Sequence, residues 1–302
     1  MSGGGPGAPS LVISGLGWPE GPTIRPDGSV VLVESYRSQL TVVGADGEAR
    51  RLAYVAGAPN SCVLGAAGEL YVCQNGGTTG PWRAAEMTTP SIQRVREGES
   101  AEILLSEVEG IALNGPNDLV FHPDGRLIFT DPGTYNPADP DPSYIFAIAA
   151  DGTARTIVEF PRPVFPNGIA VEADGSIVWD ESYTGHVRRQ RPDGTIEDLG
   201  RLPGDNPIPD GMAVGADGRL YVTDLVGRGL HVLAPDGEVL GFIPCGGAPT
   251  NCAFAGELLW VTDAGVLAAS AEPSFAGQLW RLRIPGGGAP VHLGSIAQGG
   301  RW

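Results

Sequence analysis

Six segments of this chain repeat one pattern, and that repeat constrains the fold more tightly than any other feature. They read PEGPTIRPDGSVVLVES from Pro19, PNSCVLGAAGELYVCQN from Pro59, PNDLVFHPDGRLIFTDP from Pro116, PNGIAVEADGSIVWDES from Pro166, PDGMAVGADGRLYVTDL from Pro209 and PTNCAFAGELLWVTDA from Pro249. Their starts lie 40, 57, 50, 43 and 40 residues apart, which is the spacing of propeller blades. In each, a polar residue follows the proline, and two apolar runs flank a turn. Leu119, Val120 and Phe121 precede Asp124-Gly125, for example, and Leu127, Ile128 and Phe129 follow it. Asp-Gly between apolar runs signals a hairpin, with positive φ expected at both turn residues. A second Asp-Gly lies further along most units, at Asp46, Asp151, Asp193 and Asp236. Two hairpin turns per unit give four strands per unit. Six such units closed about an axis predict an all-β, six-bladed β-propeller with four antiparallel strands per blade.

The expected domain spans residues 11–302, after a flexible tail at 1–10. Closure is expected to pair residues 11–14 with strands at 278–284 and 290–293, which removes the open edge. Helical signal is nearly absent, and residues 82–87 are the one stretch expected to hold a helical turn. Two units carry long insertions, at 74–91 and 132–143. Both follow the second strand of their blade, so both emerge on the face where the first strands begin. Loops of that length in a compact domain are expected to be functional lids.

Composition contributes mainly by exclusion. A formal net charge of −16 argues against nucleic acid, which needs a surplus of Lys and Arg. No apolar run reaches the roughly 18 residues of a membrane span, and residues 1–10 lack the basic and apolar regions of a secretion signal. Cys62, Cys73, Cys245 and Cys252 form no Cys-x-x-Cys pair and read as buried free thiols in a reduced, cytoplasmic protein. The expectation is a monomer or weak homodimer that acts on a small molecule.

In a propeller the first strand of each blade lines the channel. The residue after each motif proline therefore recurs around one ring: Glu20, Asn60, Asn117, Asn167, Asp210 and Thr250. All six are polar, and buried polar groups need partners. A hard divalent cation is one such partner. Glu20 and Asp210 offer two negative charges, Asn117 and Asn167 offer amide oxygens, and water or substrate completes the set. With no His or Cys in the ring, calcium is the expected ion, with zinc, manganese or magnesium as alternatives. Asn60 reads as a substrate contact or support, and Thr250 divides between channel and structural roles. A second ring at the ends of the second strands, Glu34, Asn75, Asp131, Asp180, Asp224 and Asp263, is expected to cap turns and in part to orient the ligands.

These motifs resemble the senescence-marker-protein/gluconolactonase/luciferin-regenerating-enzyme-like family, which includes regucalcin and bacterial lactonases. The resemblance rests on Glu20-Gly-Pro, Pro116-Asn-Asp-Leu-Val with Phe129-Thr-Asp-Pro, Pro166-Asn-Gly-Ile-Ala, and Pro209-Asp-Gly-Met-Ala with Tyr221-Val-Thr-Asp. It implies calcium or zinc in the channel, metal ligands at Glu20, Asn167 and Asp210, a further channel asparagine at Asn117, and a general base at Asp210. Two positions depart from the family. The arginine that regucalcin-type gluconolactonases carry two residues before that asparagine is Gly115, and the usual aromatic two residues after Glu-Gly-Pro is Ile24. Both point away from a sugar lactone and leave general lactone or ester chemistry standing.

The expected reaction is metal-dependent opening of a lactone or related cyclic ester. The cation would polarise the carbonyl, Asp210 would activate water, and Asn117 would orient the substrate. Asn60, Trp82, Tyr135, Phe165 and Tyr183 are candidate substrate contacts, with Trp18 and Met87 also placed near the rim. Their character leans towards a hydrophobic lactone or ester. The four histidines follow no triad pattern and no Gly-x-Ser-x-Gly elbow is present, which disfavours a serine hydrolase. Two alternatives remain. One is a phosphotriesterase of diisopropylfluorophosphatase type, whose calcium site is similar. The other is a non-catalytic calcium-binding propeller platform.

Overall fold

The computed structural model describes residues 5–297. Among them, six antiparallel four-stranded sheets stand round an axis as the blades of a propeller. Their innermost strands, in blade order one to six, are Pro19–Ile24, Pro59–Leu64, Leu119–Phe121, Pro166–Val171, Pro209–Val214 and Pro249–Ala255. Each packs on the innermost strands of both neighbours, and the last meets the first, so the ring is closed.

Successive side chains of a strand point to opposite faces. In Val30–Glu34, Val31 and Val33 pack towards blade two, while Val30 and Leu32 pack towards blade six. Both faces are buried, which explains why these strands read as continuous apolar runs. The main core is six clusters, one at each blade-to-blade seam. Each buried Val, Leu or Ile contributes about 1.5–3 kcal/mol. Because the seams supply the stability, the axis is free to carry polar side chains.

The Asp-Gly hairpins form, but their geometry differs from the expected one. The Gly28 N–H donates to Arg25 O and the Arg25 N–H to Ser29 O. Only the glycine takes positive φ, 83°, while Asp27 Oδ1 accepts the Ser29 N–H at 2.9 Å. This is a type I turn closed by a left-handed glycine. The same aspartate bond recurs at Asp46, Asp124, Asp151, Asp174, Asp193, Asp217 and Asp236.

Closure joins the two ends of the chain. Ser10–Leu16 pairs with Gly277–Arg283 as the outermost strand of blade six. The expected strand at 290–293 does not form, and Pro290 has no N–H to offer a ladder. That segment instead crosses the channel mouth, held by Ala289 N–H to Val214 O in blade five and Ala66 N–H in blade two to Gly294 O. Of the expected tail, residues 1–4 lie outside the described residues, and the Gly7 N–H bonds Arg283 O. The helical turn expected at 82–87 is also absent. Thr78–Thr79 and Trp82–Arg83 pair as a small hairpin, and the Ala84 and Thr88 N–H groups return to Gly77 O and Gly76 O. The one helical element among the described residues is a 3-10 turn, Ser35–Arg37. No helix there is long and apolar enough to cross a membrane. All four cysteines are buried and unpaired.

Candidate active site

In five of the six blades the innermost strand breaks register just past its motif proline. A bulge re-aims side chains, so consecutive residues reach the channel at two depths. Glu20, Asn60, Asn117, Asn167 and Asp210 line an upper cavity of about 290 Å³. Gly21, Ser61, Asp118 and Asn251, one residue further on, line a lower cavity of about 380 Å³ at the opposite mouth. Gly168 and Gly211 take the corresponding places in the other two blades. A Cβ on Gly211 would fall on the Asn251 amide, and one on Gly168 on the Asp210 carbonyl. Glycine is needed there for room.

Hydroxyls stitch neighbouring blades together at this level. Ser35 Oγ donates to Pro59 O, Thr130 Oγ1 to Asn167 O, Ser182 Oγ to Pro209 O and Thr223 Oγ1 to Thr250 O. Thr250 belongs to this set. It is fully buried, and its Oγ1 donates to Pro19 O at 2.7 Å. Its side chain therefore ties blade six to blade one and does not line the upper cavity.

Glu20 and Asp210 are only 3% and 5% exposed, and they share a hydrogen bond. Both carboxyls titrate well above the usual range. Burial is the main cause for each, reinforced at Glu20 by the charges of Asp210 and Asp118 and at Asp210 by Asp118. The Asn167 amide bonds Asp210 and pulls the other way. Asn167 Nδ2 also donates to Ser182 Oγ at 3.0 Å, which leaves its oxygen as the end free for a cation. Asn60 Nδ2 reaches Asn117 O at 3.4 Å, and Asn75 Nδ2 reaches Asn60 Oδ1 at 3.5 Å.

No Lys, Arg or His lines this cavity. Two buried carboxyls without a countercharge are costly, and a divalent cation would neutralise them. No group of three or more His, Cys, Asp or Glu side chains among the described residues is placed to hold a metal. An ion here would therefore depend on the asparagine oxygens, and that all-oxygen donor set fits a hard cation.

The second ring differs from expectation in two blades. The partners of the motif prolines are Glu34, Gln74, Glu181, Asp224 and Asp263, so Asn75 and Asp180 lie one residue out of register. Four of the ring residues clamp the loop that leads into a motif proline. Glu34 accepts the Gly17 N–H, Gln74 the Ala58 N–H, Asp224 the Ile208 N–H and Asp263 the Ala248 N–H. In blade three Asp131 accepts the Asn114 and Gly115 N–H groups, and burial raises its carboxyl to about 6. Asp180 takes the place that Thr130, Thr223 and Thr262 fill in other blades. It is fully buried, and neither oxygen has a well-formed hydrogen bond. Burial, then the charges of Asp210 and Asp118, push it well up, with the Gly168 N–H a partial offset.

Both insertions contribute to the upper cavity, through Thr78, Thr79 and Gly80 and through Gly133, Thr134 and Tyr135. Trp18 and Phe165 line it as well. Tyr183 stands behind, packed on Tyr135 and Phe165 at 5.2 and 5.1 Å between ring centres. Trp82 also stands behind, 5.0 Å from Tyr36, and Met87 is exposed outside the lining. Sequence reasoning missed Ser61, Asp118 and Asn251, whose signal was the polar or glycine residue next to each ring position. It also missed Leu267 and Ala268, which lie on an irregular loop outside the repeat.

Known proteins share this fold. Residues 18–265 match the family model described as the SMP-30/Gluconolactonase/LRE-like region. A gluconolactonase of Zymomonas mobilis subsp. mobilis is 26% identical over 231 residues, 67% of this chain and 60% of that protein's length. Among solved structures, a luciferin-regenerating enzyme superposes with a TM-score of 0.78 at 17% identity, covering 97% of this chain and 100% of that one. The calcium-binding protein regucalcin of Agrobacterium tumefaciens gives 0.74 at 17% identity, covering 98% and 99%. A gluconolactonase of Xanthomonas campestris gives 0.74 at 23%, covering 92% and 89%. At these identities the structural likeness is one of fold.

Proposed function

Since the chain belongs to the SMP-30/gluconolactonase/LRE-like family, we propose that its upper cavity opens a lactone or related cyclic ester with the help of a divalent cation, calcium, held by Glu20, Asn117, Asn167 and Asp210. The observation that carries this reading is the buried Glu20–Asp210 pair, which faces a cavity lined by no cationic side chain. A cation bound there would act as a Lewis acid on the substrate carbonyl and on the charge that develops on its oxygen.

The chain's own groups supply the rest. The Asp210 carboxylate takes the proton of the attacking water and returns it to the ring oxygen as the acyl C–O bond breaks. Asn167, fixed by Ser182, holds Asp210 in place through its amide. Asn117 turns its side chain to the same cavity and orients the ring. Its backbone is pinned by Asn117 N–H to Thr130 O at 2.9 Å. Trp18, Tyr135 and Phe165 wall the cavity and exclude bulk water from the reacting centre.

The test is hydrolysis of a panel of γ- and δ-lactones with calcium, zinc, manganese or a chelator, run beside an organophosphate triester. Lactone turnover with calcium, lost on chelation, is the expected result. Triester turnover without lactone turnover would replace the reading with a phosphotriesterase. Tight calcium binding with no turnover of either would replace it with a binding platform.

A further inference from the structure

Beyond Glu20 and Asp210, the upper cavity has no charged side chain. Several of its polar side chains are already committed. Asn75 bonds Thr78 O at 2.8 Å and accepts the Gly77 N–H at 3.0 Å. Ser182 accepts from Asn167 and donates to Pro209 O. A ring hydroxyl buried against Asn75 or Ser182 would meet groups whose bonds are already made, which selects against hydroxyls on those sides of the cavity. Between these groups the wall is apolar, formed by Trp18, Tyr135, Phe165, Ile208, Leu225 and Leu267. The apolar character continues outward. Tyr135 is 41% exposed and Leu267 48%, and Val226 and Val266, their lining neighbours' sequence partners, are exposed too.

Two contacts fix the shape of this space. Gly115 lies on the cavity wall, and a Cβ there would sit 2.5 Å from Gly133 O and 2.8 Å from Gly133 C. Both obstacles are backbone, and Asp131 holds the Gly115 N–H at 2.7 Å. No side chain can grow from this part of the wall to meet a substrate hydroxyl. On another side, a Cβ on Gly80 would meet Ala268 O at 2.8 Å, so the blade-two insertion touches the blade-six loop and roofs the cavity. Its volume, about 290 Å³, falls at the small end of ligand pockets, which run to about 1,000 Å³.

We propose that the substrate is an uncharged lactone bearing a short apolar substituent, which seats between the Tyr135–Phe165 wall and the Leu267–Ala268 loop, and that sugar lactones are rejected. This rests on the hydrolase reading above. It adds what the wall selects.

The calcium-loaded protein would be assayed on δ-valerolactone, δ-hexalactone, δ-octalactone and glucono-δ-lactone. Each added methylene is expected to raise kcat/KM by up to roughly fourfold, with glucono-δ-lactone at least about a hundredfold below δ-octalactone. Equal or faster turnover of glucono-δ-lactone overturns the proposal. Calorimetry with the matching lactams, which resist hydrolysis, separates the two readings. Propyl-substituted valerolactam is expected to bind at least about tenfold tighter than gluconolactam. Such binding without any lactone turnover sinks the hydrolase reading alone. The reverse order, or binding of neither lactam, sinks the substrate class. Tyr135→Ser and Leu267→Asp are each expected to flatten the methylene series at least about threefold, and a full series in both variants overturns the placement.

Discussion

Asp118 and Asp210 are both fully buried carboxyls on the channel axis, one layer apart, and the chain treats them in opposite ways. Asp118 Oδ1 accepts from Ser61 Oγ at 2.6 Å and the Leu119 N–H at 2.9 Å, and its Oδ2 accepts from the Ile169 N–H and Asn251 Nδ2 at 3.3 Å. Burial still raises it, but four donors oppose the rise. Asp210 has Asn167 on one side and a second carboxyl, Glu20, on the other. The lower layer is therefore a satisfied polar plug that sets the depth of the channel. The upper layer is a charge left unanswered by protein. Burial of an acid does not mark a site by itself, and neither does a shortage of donors, since buried Asp180 shares it; what sets Glu20 and Asp210 apart is that they face an open cavity lined by no cationic side chain.

The sharpest way to break this comparison is Asp210→Asn. It should lower lactone kcat/KM by about 10²–10⁴-fold, the size of a lost general base, with an unchanged circular dichroism spectrum. Substantial turnover in that variant would move the proton acceptor elsewhere. Asp118→Ala should instead cost stability, at least about 3 kcal/mol, because several buried donors lose their acceptor at ~1–3 kcal/mol each. A denaturant titration reads this directly, and an unchanged midpoint would mean the plug carries no load.

Calcium should act on the upper layer alone. At a hundred times its Kd it would stabilise the protein by about 2.7 kcal/mol, and Glu20→Gln should diminish that gain. The pH dependence has a definite sign. The raised Glu20–Asp210 carboxyls favour folding while protonated, fully so below their unfolded pKa, and that contribution is lost as pH rises through their raised folded values. Calcium replaces the lost proton, so the melting-temperature gain it brings should be larger at pH 8 than at pH 5. A gain independent of pH would place the ion at another site. The smallest effect expected is that of Thr250→Val. It removes the bond to Pro19 O, about 1 kcal/mol, with activity close to that of the parent protein. A large loss of turnover there would return Thr250 to the functional ring.

Much of this was legible in the chain itself. Proline followed by a polar residue, repeated six times, placed Glu20, Asn60, Asn117, Asn167 and Asp210 in one layer, because a repeat puts equivalent residues at equivalent heights. Apolar runs on either side of Asp-Gly marked the hairpins. Less legible was anything that depended on how strands offset one another. A bulge after the motif proline brought Ser61 and Asn251 to the axis, where strict alternation would turn them away. The second ring, by contrast, follows the repeat: Gln74 and Glu181 stand at the same distance from their motif prolines as Glu34 and Asp224 do from theirs, and pair with those prolines.

The repeat by itself determined the number of blades, the strands within each and the polar ring, since these follow from period and alternation along one segment. Only the tertiary structure decided which polar residues have partners. Thr250 meets Pro19 from the far end of the chain, Asp118 collects donors from blades two, four and six as well as its own, and Gly115 is walled in by the backbone of Gly133. Partnership of that kind is a matter of distance in space between separate blades, and local pattern carries no record of it.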